Sequence, residues 1–160
     1  LHNVTLSDRA SLGIYEDKSG PLLKKLTETF FSETGRSVSI ENTIMPDDEM
    51  QLEALMKSLI KQNTDIIFTT GGTGIGPRDI TPDVMKKLIN KEIPGIMEMI
   101  RVKYGMQFPN ALLSRSIAGV AGKTLLYALP GNPKAVKEYC DEIFKTVEHS
   151  FRMLYNIDEH

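Results

Sequence analysis

Cys140 is the only cysteine in this chain of 160 residues, which excludes an intrachain disulfide and any multi-cysteine zinc or iron–sulfur site. Its place on the apolar stripe of a helix makes it a core residue. Long hydrophobic runs are absent too: the longest, residues 125–129, has five members, against the roughly 18 that a membrane-spanning helix needs. Charge of one sign is also missing, because 19 Lys plus Arg stand against 21 Asp plus Glu for a formal net charge of −2. No global field draws the chain to nucleic acid or to an anionic membrane, so any anion site must be built locally. Residues 1–7 lack the cationic flank and apolar segment of a signal peptide, and cytoplasmic residence is the expectation. His2, His149 and His160 are far apart or terminal, with no nucleophile motif beside them, which argues against triad chemistry. No Ser-, Gly- or Pro-rich linker divides the chain and no repeat of about 20 to 50 residues appears. Residues 1–160 read as a single domain of ordinary globular composition.

Strand and helix patterns alternate along the chain. A short strand at 4–6 is followed by a polar loop and a helix carrying Leu22, Leu23, Leu26 and Phe30, closed by Gly35. Residues 38–44 alternate as a strand, and Pro46-Asp47-Asp48 precedes a second helical stripe of Leu52, Leu55, Met56, Leu59 and Ile60. The β-branched run at 65–70 stops at Gly71-Gly72-Thr73-Gly74, as a buried strand ending in a loop would. Thr81 is placed to cap the next helix, with Pro82 and Asp83 in its first turn. A helix over 94–104, an extended stretch at 111–117, a turn at 119–122 and a strand at 124–129 follow. Asn132-Pro133 then caps a last helix whose stripe is Val136, Tyr139, Cys140, Ile143, Phe144 and Val147. This order predicts an α/β fold with a mostly parallel sheet covered by helices on both faces, and ligands beyond the carboxyl ends of its strands.

The polar clusters all follow predicted strands: Ser7-Asp8-Arg9, Pro46-Asp47-Asp48, the stretch from Gly71 to Asp79, and Pro130-Gly131-Asn132-Pro133-Lys134. Gly122-Lys123-Thr124 imitates a P-loop, but the Walker spacing puts Ile117 where a glycine is required, and the lysine opens a strand rather than a helix. A hairpin turn is the expectation there. The dinucleotide fingerprint fails as well, because its third glycine falls on Pro77 or Asp79. What remains is a strand-end segment with four glycines and three threonines, Thr69 to Asp79, that can turn several N–H groups toward one anion. Asp47 and Asp79 stand at strand exits and could hold Mg²⁺ together with substrate phosphates, while Arg9, Arg78, Arg115 and Lys134 could neutralise those phosphates. Asp47 also sits where a helix N-cap belongs, so both readings stand. Asp79, two residues before the expected cap Thr81, has less structural reason to be acidic. Lys134, near a helix start, fits either a bound anion or a solvated side chain.

Ser7-Asp8-Arg9-Ala10-Ser11 with Tyr15-Glu16-Asp17, Gly71-Gly72-Thr73-Gly74 through Arg78-Asp79-Ile80-Thr81-Pro82, and Leu129-Pro130-Gly131-Asn132-Pro133-Lys134 together resemble the MoaB/Mog domain family of molybdenum-cofactor biosynthesis. The likeness is collinear over nearly the whole chain and strongest toward the bacterial adenylyltransferase branch, which is also similar to the gephyrin G domain. The resemblance implies a three-layer α/β/α domain, a trimer or a hexamer, that binds the pterin dithiolene and transfers AMP from Mg-ATP to its terminal phosphate. On that likeness Asp47 and Asp79 match essential carboxylates and candidate Mg²⁺ ligands, and Gly71, Gly72, Thr73 and Gly74, with Thr70 before them, match the nucleotide cradle. Ser114-Arg115 and Pro130, Gly131, Asn132, Pro133 and Lys134 match loops on the pterin-phosphate side. Ser7, Asp8, Arg9 and Arg78 complete the expected binding set, and the molybdenum-insertion enzyme is a candidate partner. Asp83 stands where Glu is commoner. Two other roles of the same cradle are open: pterin binding or assembly without catalysis, and nucleotide hydrolysis.

Overall fold

The computed structural model describes residues 1–157 and shows one six-stranded sheet with helices on both faces. Its strands are β1 (His2–Leu6), β2 (Glu41–Met45), β3 (Ile66–Thr70), β4 (Lys91–Glu92), β5 (Ala118–Ala121) and β6 (Thr124–Leu129), in the spatial order β2-β1-β3-β6-β5-β4. The first four in that order run parallel, and β5 pairs antiparallel with both β6 and β4. The period-2 alternation of the strands sorts the core in two. Ile66, Phe68, Leu125, Tyr127 and Leu129 face α2 (Ser19–Glu33), α5 (Pro94–Gly105) and α6 (Pro133–Leu154), whereas Val4, Ile67, Leu126 and Ala128 face α3 (Glu49–Lys61) and α4 (Thr81–Leu88). The predicted three-layer α/β/α architecture is therefore what forms.

Connections leave β1 for β2 on one side and return across it to β3 on the other. The carboxyl ends of β1 and β3 thus flank the topological switch point where open α/β sheets bind ligands. No helix among the described residues is long and apolar enough to cross a membrane.

Several local expectations change. Asp48, not Asp47, caps α3, its carboxylate accepting the Gln51 N–H at 2.8 Å. Thr81 lies inside α4, which has no side-chain cap; its hydroxyl donates instead to the Gly71 carbonyl at 3.0 Å. The stretch expected to be extended at 111–117 begins in a 3-10 helix, Pro109–Leu113, that Pro109 initiates. Of the turn expected at 119–122, residues 119–121 instead belong to β5, where Gly119 leaves room for the Ile89 side chain lying over it. The turn shrinks to Gly122-Lys123, with Gly122 at φ +62°, in the position a two-residue hairpin gives to glycine. A four-residue helix α1 (Asp8–Ser11) and the two-residue β4 arise where no helix or strand is expected. Asn132 caps α6 as predicted, accepting the Ala135 N–H at 3.0 Å.

Candidate active site

The glycine-rich loop leaves β3 at the switch point and is fixed to the sheet by its first residue. Gly71 donates its N–H to the Leu129 carbonyl at 2.9 Å. At φ +96° it also passes so close to β1 that a Cβ would strike the Leu6 carbonyl oxygen. Gly72, at φ +64°, would place a Cβ 2.5 Å from Thr81 Oγ1 and 3.3 Å from Asp47 Oδ1. Only glycine satisfies both the backbone and the space. Thr81 closes the loop from below, its N–H on the Gly72 carbonyl and its hydroxyl on that of Gly71.

Arg115 holds the loop through its backbone and its guanidinium. Its backbone N–H donates to the Thr73 carbonyl at 2.8 Å, its Nε to the Gly74 carbonyl at 2.7 Å, and its terminal nitrogens to the Asp79 carbonyl and the Asp83 carboxylate. Asp79 is likewise partly structural, its Oδ2 accepting the Gly76 N–H at 2.8 Å and so closing the distal half of the loop. That corrects the expectation that Asp79 has little structural reason to be acidic.

On the β1–β2 flank, Asp47 and Asp8 exchange bonds. The Asp8 N–H donates to Asp47 Oδ2 at 3.2 Å and the Asp47 N–H to Asp8 Oδ1 at 3.0 Å. Arg78 straps this pair to the loop through a bidentate contact with Asp8, its terminal nitrogen 2.8 Å from Oδ1. The Arg78 hydrogen bonds, aided by the Asp47 N–H, hold the Asp8 carboxyl below the usual carboxylate value. Burial moves Asp47 the other way, opposed by the Asp8 N–H and by Arg78 and reinforced by the Asp8 and Asp79 charges.

On the opposite flank a cavity of about 560 Å³ opens between the loop, α5, the 3-10 helix and the start of α6. The structure brings Gly71, Gly72, Thr73, Gly74, Asp79, Ser114, Pro130, Gly131, Asn132 and Lys134 to its wall. Asp47, Asp8 and Arg78 stand across the loop from it. Other expected binding residues are used locally. Ser7 caps α1 through the Ala10 N–H, Arg9 lies over the Tyr15 ring 5.3 Å from its centroid, Thr70 is buried with its hydroxyl toward Thr5, and Pro133 opens α6. Lys134 places its Nζ 3.4 Å from the Phe108 ring centroid and 3.8 Å from Glu138.

Sequence reasoning missed the other wall, formed by Arg101, Tyr104, Phe108 and Tyr139, which helical periodicity alone assigns to core or surface. It also gave no role to Asp17, whose Oδ1 accepts the N–H groups of Ser19 and Gly20 while Thr5 donates to Oδ2. Ser19 then donates to the Gly131 carbonyl at 2.7 Å, tying α2 to the last site loop. The signal was an Asp two residues before the Ser-Gly that opens α2.

No group of three or more His, Cys, Asp or Glu suited to a metal ion occurs among the described residues. Asp47 and Asp79 each keep Oδ1 without a protein donor among the described residues, on either side of the loop. That donor set suits a hard cation arriving on a phosphate ligand, since Mg²⁺ takes one or two carboxylates plus phosphate oxygens. It does not suit a resident metal enclosed by protein.

Residues 3–149 match the family described as "Probable molybdopterin binding domain". A molybdopterin adenylyltransferase of Helicobacter pylori strain J99 is 35% identical over 147 residues, 91% of this chain and 82% of that protein. Among solved structures, the molybdopterin biosynthesis enzyme MoaB of Thermus thermophilus aligns with TM-score 0.84 at 28% identity, covering 97% of this chain and 95% of its own. The tungsten cofactor synthesizing protein MoaB of Pyrococcus furiosus aligns with TM-score 0.81 at 32% identity, covering 96% and 94%. With the fold, the glycine-rich loop at the switch point and these likenesses in agreement, the chain belongs to the molybdopterin-binding domain family of molybdenum-cofactor biosynthesis.

Proposed function

We propose that this chain is a molybdopterin adenylyltransferase, acting as one domain over residues 1–160. An oxygen of the terminal phosphate of molybdopterin attacks the α-phosphorus of ATP, a new P–O–P linkage forms, and the bond to the β-phosphate breaks to release pyrophosphate. The nucleophile belongs to the substrate, so no reactive side chain is needed. The protein must align two anions and spread the charge of the transition state. The observation that carries the reading is the glycine loop, clamped by Arg115 and Thr81, with the Asp47 carboxylate on one side and the 560 Å³ cavity on the other. The loop N–H groups and Thr73 bind phosphate oxygens, and Lys134 adds charge at the cavity rim. Asp47 and Asp79 would hold the Mg²⁺ that accompanies ATP, which would supply Lewis-acid neutralisation of the phosphates.

We place the protein in the cytoplasm as a homo-oligomer, a trimer or a hexamer. Support comes from exposed apolar residues on α5, at its end and on the 3-10 helix, among them Met99, Val102, Met106, Leu112 and Leu113. Light scattering at working concentration checks the assembly. The activity is tested by incubating the protein with molybdopterin and Mg-ATP and searching by mass spectrometry for the adenylylated pterin. Free AMP without it identifies a hydrolase, and pterin bound unchanged identifies a binding protein.

A further inference from the structure

The cations around the loop differ in what neutralises them. Arg78 has the Asp8 carboxylate, Arg115 has Asp83, and Lys134 has Glu138 at 3.8 Å. Arg101, half-buried in the cavity wall, has no carboxylate within 4.0 Å among the described residues. One terminal nitrogen donates to the carbonyls of Ser114, at 3.4 Å, and Ser116, at 3.0 Å. These bonds orient the guanidinium and leave it without an ion-pair contact, while Glu138 of the same cavity is paired with Lys134. A half-buried cation without a carboxylate in contact gains from an anion that arrives beside it.

The position of Arg101 relative to the loop is set by one peptide group. The Ser114 carbonyl faces Arg101, and the N–H of the same peptide, from Arg115, donates to the Thr73 carbonyl. Arg101 therefore stands one peptide width beyond Thr73 of the loop, in the wall of the same cavity. Around it are the aromatic side chains of Tyr104, Phe108 and Tyr139, with the Tyr139 hydroxyl directed to Ser114 Oγ at 3.0 Å. Such polarizable walls suit sulfur and a flat heterocycle better than a hydrated polyphosphate.

The geometry points to Arg101 as a specificity residue that binds the anionic ene-dithiolate of the pterin substrate while the glycine loop holds its phosphate. This rests on the adenylyltransferase reading and adds a residue which that reading does not need.

The test compares wild type, Arg101→Met and Arg101→Lys, each confirmed folded by its melting curve, with molybdopterin, with a pterin phosphate that carries no sulfur, and with Mg-ATP. Loss of a charged hydrogen-bond donor should raise the KM for molybdopterin about 10- to 100-fold in Arg101→Met. It should leave kcat and the KM for ATP within about twofold, and Arg101→Lys should recover part of the loss because the charge remains. Affinity for the sulfur-free pterin phosphate should be the same in all three proteins. Equal weakening of both pterins overturns the dithiolate assignment, a rise in the KM for ATP reassigns Arg101 to the nucleotide, and a fall in kcat alone makes it only a clamp for the 114–116 linker. If wild type forms no adenylylated pterin, the functional reading itself fails, and direct binding of the two pterins still decides whether Arg101 recognises sulfur.

Discussion

Two glycine turns in this chain hold a positive φ beside candidate phosphate-binding residues, and they lie at opposite ends of the sheet. Gly72, at φ +64°, sits at the carboxyl end of β3 between Thr81 and Asp47. Gly122, at φ +62°, sits before the amino end of β6 with nothing within 4 Å of the place a Cβ would take. Lys123 beside it lies over the Tyr155 ring, 4.7 Å from the centroid. The backbones are alike and the surroundings are not. A positive φ selects glycine, but only the crowding around Gly72 turns that glycine into part of a site.

The sharpest way to break this comparison is to add a methyl group at each glycine. Gly72→Ala combines left-handed strain with a clash against Thr81 Oγ1, and displacement of the loop should lower adenylylation at least a hundredfold with about 1 to 3 kcal/mol of lost stability. Steady-state kinetics and denaturant titration read both. A kinetically normal Gly72→Ala would remove the loop from the active site.

Next in size is Asp47→Asn. The cap of α3 belongs to Asp48, and an Asn side-chain oxygen can still accept the Asp8 N–H, so the fold should keep its contacts while losing the charge. Adenylylation should fall about a hundredfold, equivalent to about 2.7 kcal/mol of transition-state stabilisation. Stability should respond oppositely. Because burial raises the Asp47 carboxyl, its favourable contribution is complete below the ordinary carboxylate value and is lost as pH rises through the native one. The variant should therefore melt no lower than wild type near neutrality, with the difference closing toward about pH 4. Melting curves across that range check the sign, and a variant less stable at neutral pH contradicts it.

Gly122→Ala should show strain without function. A loss of about 1 to 2 kcal/mol in denaturant titration, with unchanged specific activity, is expected from a left-handed alanine in open space. The smallest effect belongs to Lys123→Ala. Its position at the far end of the sheet predicts an ATP affinity within about twofold of wild type by calorimetry, and a tenfold loss, about 1.4 kcal/mol, would return the P-loop reading to contention.

The alternation of strands and helices, the parallel sheet and the strand-end loops were legible because apolar periodicity and turn residues are local signals. The 3-10 helix was not, since Ala111-Leu112-Leu113 reads equally as an extended apolar run, and β4 is too short to show any period. Nor could two adjacent aspartates be told apart. Whether Asp47 or Asp48 caps α3 depends on backbone angles fixed by the exchange with Asp8, 39 positions away. The same limit explains Arg115 and Arg101. A basic residue reads alike whether it meets a ligand or clamps a carbonyl, and only tertiary packing brings Gly74 to the one and Ser114 to the other.

The bond from the Gly71 N–H to the Leu129 carbonyl carries the β3–β6 ladder one residue past its last pair. That amide belongs to the cooperative unit of the sheet and should exchange with solvent deuterium as slowly as the buried strands do. Among the described residues Gly76 is held by Asp79 alone, its N–H on the carboxylate and its carbonyl on the Asp79 N–H, contacts that lie outside the ladder and should protect its amide less. Hydrogen exchange should therefore grade along the loop, slowest at Gly71 next to β3 and faster at exposed Gly76.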